Sequence, residues 1–166
     1  MFQINDMVMH GTSGICQIAD IRAENFRGPE ELYYILQPLR EKTTIYCPVE
    51  GTKIKLRKLL TTEEINELIA IMPDAENIWI EHDPTRKERF TAILKGGDYK
   101  ELICLLKTLY AKREEKQREG KKFHIADERI MQDAERMLHG EFAYVLGIAE
   151  EDVLPFILGK VAPEGK

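Results

Sequence analysis

The hydrophobic pattern of this chain changes its period at Thr61, and this change divides the sequence into two parts. Up to about residue 60, turn residues separate short runs of β-branched and aromatic residues, a pattern typical of a small antiparallel barrel or sandwich. Beyond Thr61, apolar residues recur every three to four positions, as they do in amphipathic helices. We therefore predict an α+β protein, with a β domain over residues 1–60 and a compact all-helical domain over residues 61–166.

The runs of the first part predict five strands, over residues 7–10, 15–23, 32–37, 43–47 and 53–57. In the second run the isoleucines recur every three residues, which is closer to a helical period than to alternation. We nevertheless expect a strand there, because turn residues bound the run on both sides. In the last run Ile54 and Leu56 alternate with Lys53, Lys55 and Arg57, which predicts one apolar and one basic face.

The second part contains signals for helix starts and ends. Thr61 and Glu64 form a capping-box pattern before a helix that is predicted to end at Pro73. A second helix is expected to start at Asp83 and to end at the glycine pair of residues 96–97. Asp98 is expected to cap a third helix, and Glu101, three residues later, is expected to complete a capping box. The polar end of this helix is expected to project from the bundle. A fourth helix is expected to stop near Gly147. A short segment, residues 150–158, is expected to pack at the end of this part of the chain.

The residues predicted to form the core of the helical domain are Ile65, Leu68, Ile69, Met72, Phe90, Ile93, Leu94, Leu102, Leu105, Leu106, Leu109, Ile130, Met131, Ala134, Met137, Leu138, Phe142 and Val145.

Charge is segregated along the chain. Residues 84–124 contain 12 Lys or Arg and 6 Asp or Glu, although the whole chain has a net charge of -5. Residues 62–83 contain no basic residue. A basic block on a helical scaffold favours contact with nucleic acid or with an acidic protein, and a solvated helix face is the alternative.

The cysteines, the histidines and the hydropathy of the chain argue against a metalloprotein, a membrane protein and a secreted protein. The three cysteines lack a CxxC pair, and the four histidines lack metal-ligand spacing, so we expect core cysteines and neither a metal nor another cofactor. No window is long and apolar enough for a membrane span, and the start lacks the features of a signal peptide. We expect a cytoplasmic protein without membrane contact or small-molecule substrate.

The chain resembles the CarD/CdnL family of bacterial transcription regulators nearly from end to end. In the first part the resemblance rests on the segments INDMVMHGTSGICQIADI, YYILQPL and IYCPVEG. In the second part it rests on RKERFTAILKGGD, LLKTLYAKREE and EGKKFHIADERIMQDAERMLHGEFA. The resemblance implies that the first domain is a Tudor-like barrel, shared with transcription-repair coupling factors, that binds the β subunit of RNA polymerase. The helical domain would reach promoter DNA at the upstream edge of the melted region and stabilise the open complex.

The resemblance also implies two sets of site residues. An exposed strand over residues 43–47 would pair with the polymerase. The polymerase-binding set is Arg40, Thr44, Ile45, Tyr46 and Cys47. Weak contacts with promoter DNA, independent of sequence, would come from side chains grouped at helix ends. The DNA-binding set is Trp79, Arg86, Lys87, Arg89, Lys121 and Lys122.

The sequence departs from the family pattern at two places. Asp83 stands where well-studied members carry a tryptophan that acts as a minor-groove wedge. Trp79 lies four residues earlier, where it either replaces that wedge or packs in the core, and we favour packing. Glu24 and Tyr46 stand where the family has arginines near the polymerase.

We therefore expect a transcription regulator and not an enzyme. The first alternative is a protein-only adaptor without DNA contact, which Asp83 and the acidic isoelectric point favour. An enzyme is the second alternative, and it is disfavoured because the sequence lacks a phosphate-binding loop, a nucleophile elbow and an HExxH pair.

Overall fold

The computed structural model describes residues 1–51 and 56–161 of the chain. Packing contacts divide it into two compact units, Met1–Leu59 and Leu60–Lys166. The first unit contains an antiparallel sheet and the second contains five α-helices. The predicted α+β class is therefore confirmed.

Five strands form the sheet of the first unit, in the order β4-β3-β2-β1-β5. Their bounds are Met7–His10 (β1), Gly14–Glu24 (β2), Glu31–Pro38 (β3), Ile45–Pro48 (β4) and Leu56–Lys58 (β5). The first three predicted strands are confirmed to within one residue at each end. The fourth begins two residues later than predicted, at Ile45. For the fifth, residues 53–55 lie outside the described residues, and β5 continues to Lys58.

A β-bulge explains the irregular isoleucine spacing in β2. The pairing of β2 with β3 shifts register between Ile18 and Asp20. A bulge adds one residue to a strand, so the residues after it point to the opposite face from the one that simple alternation would give them. Ile18 and Ile21 therefore both contact the core of the first unit, although they are three residues apart.

The core of the first unit lies on one face of the sheet. Its buried members are Val8, Cys16, Ile18, Tyr34, Leu36 and Cys47. Burial raises the pKa of the Cys16 thiol to about 11 and raises that of Cys47 as well. Both thiols are therefore protonated at neutral pH and act as small apolar residues, as predicted, whereas Cys104 of the second unit is only half-buried.

Five α-helices and three short 3-10 turns complete the described structure. The helices are Thr62–Ile71 (α1), Asp83–Gly96 (α2), Tyr99–Arg118 (α3), Ile125–Leu146 (α4) and Val153–Val161 (α5). The starts and ends predicted for the first four are confirmed to within about two residues. The last predicted segment forms a 3-10 turn followed by α5, which buries Val153 and Ile157. No helix within the described ranges is long and apolar enough to cross a membrane.

The capping signals are confirmed at α1 and changed at α3. Thr61 Oγ1 accepts from the Glu64 amide at 3.1 Å, and Glu64 Oε1 accepts from the Thr61 amide at 2.9 Å, so the predicted capping box forms. At α3, Asp98 caps by accepting from the Lys100 amide at 2.8 Å. The side chain of Glu101 pairs instead with Arg89, in the middle of α2, at 2.6 Å.

Two buried polar contacts show the directions of the long helices. Arg86 in the first turn of α2 binds Asp127 in the first turn of α4, so α2 and α4 begin at the same end of the unit. Tyr99 at the start of α3 donates to Glu141 near the end of α4 at 2.7 Å. Helix α3 therefore runs antiparallel to α4. The helical core buries the predicted residues, except that Met72 and Val145 are only partly buried.

Glu141 also fixes the start of the helical unit. Its carboxylate is 1% exposed, and its Oε2 accepts from the backbone amide of Leu60 at 2.7 Å. Because its Oε1 accepts from the Tyr99 hydroxyl, both oxygens of this buried carboxyl group accept hydrogen bonds. The first residue of the unit is thus bonded to α4, 81 positions later in the sequence.

Candidate functional site

Strand β4 lies at one edge of the sheet formed by the described strands, so it offers backbone groups to a further strand. Tyr46 is its exposed side chain, with 43% of its surface accessible. Cys47 is buried in the core of the first unit, and Ile45 packs partly against the same core. Of these three residues, only Tyr46 presents its side chain to a partner.

The other two residues of the predicted polymerase-binding set lie in the turn before β4. Arg40 and Thr44 are both exposed. Thr44 Oγ1 accepts from Gln37 Nε2 at 3.1 Å, which ties the turn to β3. The structure therefore places all five residues of the set along one edge, where Ile45 and Cys47 offer mainly their backbone.

An aromatic cluster adjoins this edge, and the sequence reasoning did not find it. The cluster consists of Phe26, Tyr33 and Tyr46. The ring of Phe26 lies 5.2 Å from that of Tyr33 and 5.1 Å from that of Tyr46, in edge-to-face geometry in both pairs. Phe26 is 58% exposed. The sequence signal for this cluster is Phe26 itself, an aromatic residue among the turn residues that link β2 and β3.

Trp79 packs against the helical core and is held from several sides. The guanidinium carbon of Arg86 lies 4.3 Å from the ring centroid, and Lys112 Nζ lies 4.8 Å from it. The indole nitrogen donates to Glu81 at 3.2 Å. The connector before α2 has no regular structure over residues 75–80, so Trp79 does not lie on the same helix as Asp83. This placement is the packed arrangement that we favoured.

Arg86 differs from the surface cation that the predicted DNA-binding set requires. Its side chain is 4% exposed and binds Asp127 through two bonds of 3.0 Å each. Its Nη1 also donates to the carbonyl of Ile80 at 2.9 Å and contacts Asp83 at 2.8 Å. A guanidinium with these partners has little capacity left for a phosphate. We therefore assign Arg86 to the packing of the unit and leave it out of the surface proposed below.

Asp83, at the position of the family tryptophan, remains at the surface, with its side chain 61% exposed. The hydrogen bond from Arg86 holds the pKa of this carboxyl below its ordinary value. Asp83 is therefore charged at neutral pH. A negative group at this point repels phosphate, although Arg86 offsets part of its charge.

The remaining cations of the set are all exposed. Arg89 pairs with Glu101 at 2.6 Å and Lys121 with Glu119 at 3.5 Å, and such exposed pairs contribute little stability. Lys87 and Lys122 form no ion pair with any residue in the described ranges. Since α2 and α4 begin at the same end of the unit, Lys87, Lys121 and Lys122 lie at that end, which we call the basic end.

The described ranges contain no group of three or more His, Cys, Asp or Glu side chains arranged to hold a metal ion.

Comparison with known proteins agrees with the geometry of the first unit. Residues 2–60 match the family model of the CarD-like/TRCF RID domain. This domain has a Tudor-like fold, and in transcription-related proteins it is a non-enzymatic module that interacts with the RNA polymerase β subunit. A search of the curated proteins finds no match to the chain. The sheet and this match together identify the first unit, residues 2–60, as a CarD-like/TRCF RID domain.

Proposed function

We propose that this protein regulates transcription by binding the RNA polymerase β subunit through β4 of its RID domain while its helical unit contacts promoter DNA. The DNA contact is weak and independent of base sequence, and it changes the stability of the open complex. The observation that carries the proposal is the position of β4 at the edge of a sheet that belongs to a polymerase-binding domain.

Backbone pairing explains how β4 serves this purpose. An edge strand can accept a partner strand whose main-chain hydrogen bonds supply affinity, while side chains along the edge supply specificity. The buried Cys47 and the partly buried Ile45 fix β4 against the core of its own unit. The edge is therefore preorganised, so binding needs little ordering of this strand.

The DNA contact rests on the basic end of the helical unit. Lys87 and Lys122 are exposed and have no carboxylate partner in the described ranges, so their charge is available to phosphates. Contacts of this kind position a protein on a duplex without reading its sequence. Their affinity falls steeply with salt, because each neutralised phosphate releases counterions.

Hydrogen exchange on the full chain tests the polymerase contact directly. Adding the purified β subunit is expected to slow exchange at those amides of Ile45, Tyr46 and Cys47 that do not already bond to β3, because a partner strand covers them. Pro48 has no amide hydrogen and does not report. Amides of β2, which already lies between β1 and β3, serve as the internal control and are expected to change little. Binding without added protection at β4 would contradict strand addition, and no binding at all would contradict the proposal.

A protein-only adaptor is the second candidate, because Asp83 is charged at the surface and Trp79 is held against the core. In that case the basic end contacts an acidic protein. The two candidates differ in one measurement, the affinity for a short duplex of random sequence at low and moderate salt. Binding that weakens steeply with salt supports DNA contact, whereas no binding at low salt supports the adaptor.

A further inference from the structure

The face of the sheet that carries the aromatic cluster is also acidic at one end. Glu24 of β2 pairs in register with Glu31 of β3, so the two carboxylates lie side by side. The register of β3 and β4 pairs Tyr33 with Pro48, and the amide after Pro48 donates to the carbonyl of Leu32. Continuing this register places Glu50 opposite Glu31. Three carboxylates thus form a row across three neighbouring chain segments, which we call the acidic row.

The arginines near the acidic row neutralise only part of it. Arg27 binds Glu31 at 2.6 Å, and Arg22 binds Asp20 at 3.3 Å. Glu24 and Glu50 form no ion pair with a residue in the described ranges. This end of the sheet face is therefore net negative.

The acidic row and the aromatic cluster face the same side of the sheet. Residues two apart on a strand share a face, so Glu31 lies on the face of Tyr33. Paired residues also share a face, which places Tyr46, the partner of Ile35, with Tyr33. This face is opposite to the core, because Tyr34 and Leu36 contact the core.

The aromatic cluster has two features that suit a cationic partner. Phe26 is mostly exposed, so a ligand can reach its ring. The hydroxyl of Tyr33 is buried without a hydrogen bond of normal geometry, and the guanidinium of Arg27, which binds Glu31, lies beside it. The aromatic cluster therefore already borders one guanidinium. A planar guanidinium both stacks on aromatic rings and donates hydrogen bonds.

We propose that the aromatic cluster and the acidic row form a receptor for an arginine side chain on the strand of the polymerase β subunit that adds to β4. This inference rests on the proposed function and names the chemistry that the partner must offer. A strand added to β4 lies about 4.8 Å from it, which brings its side chains within contact distance of Tyr46. The arginine stacks on the exposed ring of Phe26 and faces the carboxylates of Glu24 and Glu50.

Fluorinated phenylalanine at position 26 tests the cationic partner. Each added fluorine weakens the negative face of the ring while nearly keeping its size, so the affinity for a cation falls stepwise. In the full chain, the affinity for the β subunit is expected to fall across the mono-, di- and trifluoro series, by about two- to thirtyfold in all. An apolar partner would bind the fluorinated rings equally well or better, and that result would overturn the inference.

The acidic row is tested by a pair of neutral substitutions. Glu24→Gln with Glu50→Gln is expected to weaken binding to the β subunit at low salt and to reduce its salt dependence. Glu41→Gln is the matched control, since Glu41 is exposed in the same unit but precedes β4 instead of following it. Equal effects of the pair and of the control would overturn the role of the acidic row.

These outcomes separate the inference from the proposed function. If the β subunit protects the amides of β4 but its affinity does not change with fluorination at position 26, the inference is wrong and strand addition stands. If the unmodified chain fails to bind the β subunit, both are wrong. Leu32→Ala provides a further control, because Leu32 is 46% exposed on the opposite face of β3 and its truncation is expected to leave binding unchanged.

Discussion

Arg86 and Asp127 form a bidentate ion pair, with distances of 3.0 Å for both Nε–Oδ1 and Nη2–Oδ2, and both side chains are almost fully buried. The pair joins the first turns of α2 and α4. The sequence pattern predicts that Arg86 is a surface cation, but the structure gives it a role in packing. Substitution of Arg86 should therefore change the stability of the protein.

Arg86→Met is expected to lower the free energy of unfolding by about 3–5 kcal/mol, because it leaves the Asp127 carboxylate buried without its partner. Urea denaturation of the full chain measures the change. Adding Asp127→Leu is expected to recover part of the loss, since no buried charge then remains. Arg136→Met is the control, because Arg136 forms only an exposed pair with Asp133. Normal stability with lost DNA affinity would show instead that Arg86 contacts phosphate.

Lys87→Gln combined with Lys122→Gln is expected to weaken DNA binding equally for all sequences. The slope of log affinity against log salt is expected to become shallower by about 0.9 for each lost phosphate contact. Fluorescence anisotropy with a labelled random duplex measures both quantities. The matched control is Lys95→Gln with Lys100→Gln, two exposed lysines at the end of α2 and the start of α3, away from the basic end. An unchanged slope in the first variant would exclude the basic end as the DNA contact.

Thr61→Ala is expected to lower the free energy of unfolding by about 1 kcal/mol, because the Glu64 amide loses its acceptor at the start of α1. Thr62→Ala, one residue later and equally exposed, is the control and is expected to change stability little. Thermal and urea denaturation of the two variants are compared. Equal losses would mean that the capping box contributes nothing beyond local helix propensity.

Stability is expected to depend on pH through His10, since burial lowers the pKa of this residue below its ordinary value of 6.5. The unfolded chain takes up the proton near pH 6.5, but the folded chain takes it up only at lower pH. The contribution is therefore constant above about pH 6.5, and stability falls as the pH drops below it. Urea denaturation between pH 7.5 and about 5.5 measures this slope.

His10→Gln is expected to reduce the slope without abolishing it, because burial also lowers the pKa of His139 in the helical unit. The double variant with His139→Gln is the comparison, and it is expected to lose more of the slope than His10→Gln alone. A full slope in the His10 variant would show that its protonation is not linked to folding.

Local signals in the sequence explain why the helices were predictable. The capping residues, the glycines that end α2 and α4 and the period of the apolar residues all act within a few positions. Gly97 and Gly147 adopt φ angles of 73° and 71°, a left-handed conformation that favours glycine. Such positions can be recognised without knowledge of the fold.

The features that were missed depend on residues far apart in the chain. Arg86 is buried because Asp127, 41 positions later, meets it across two helices. Phe26 reaches Tyr46 only because the β2–β3 connection lies over the sheet beside β4. The bulge in β2 likewise became visible only through its pairing with β3. None of these relations has a local signature, so sequence periodicity alone could not find them.

The hydrogen bond from the Leu60 amide to Glu141 determines where the chain can be cut. A fragment that starts at residue 61 lacks this donor and therefore loses one hydrogen bond to a buried carboxyl group. A fragment that starts at Leu59 keeps the peptide group whose amide makes the bond. Truncations meant to separate the proposed polymerase contact from the proposed DNA contact should therefore begin there. A later start lowers the stability of the helical unit, and a loss of binding would then have a cause other than the removed contact.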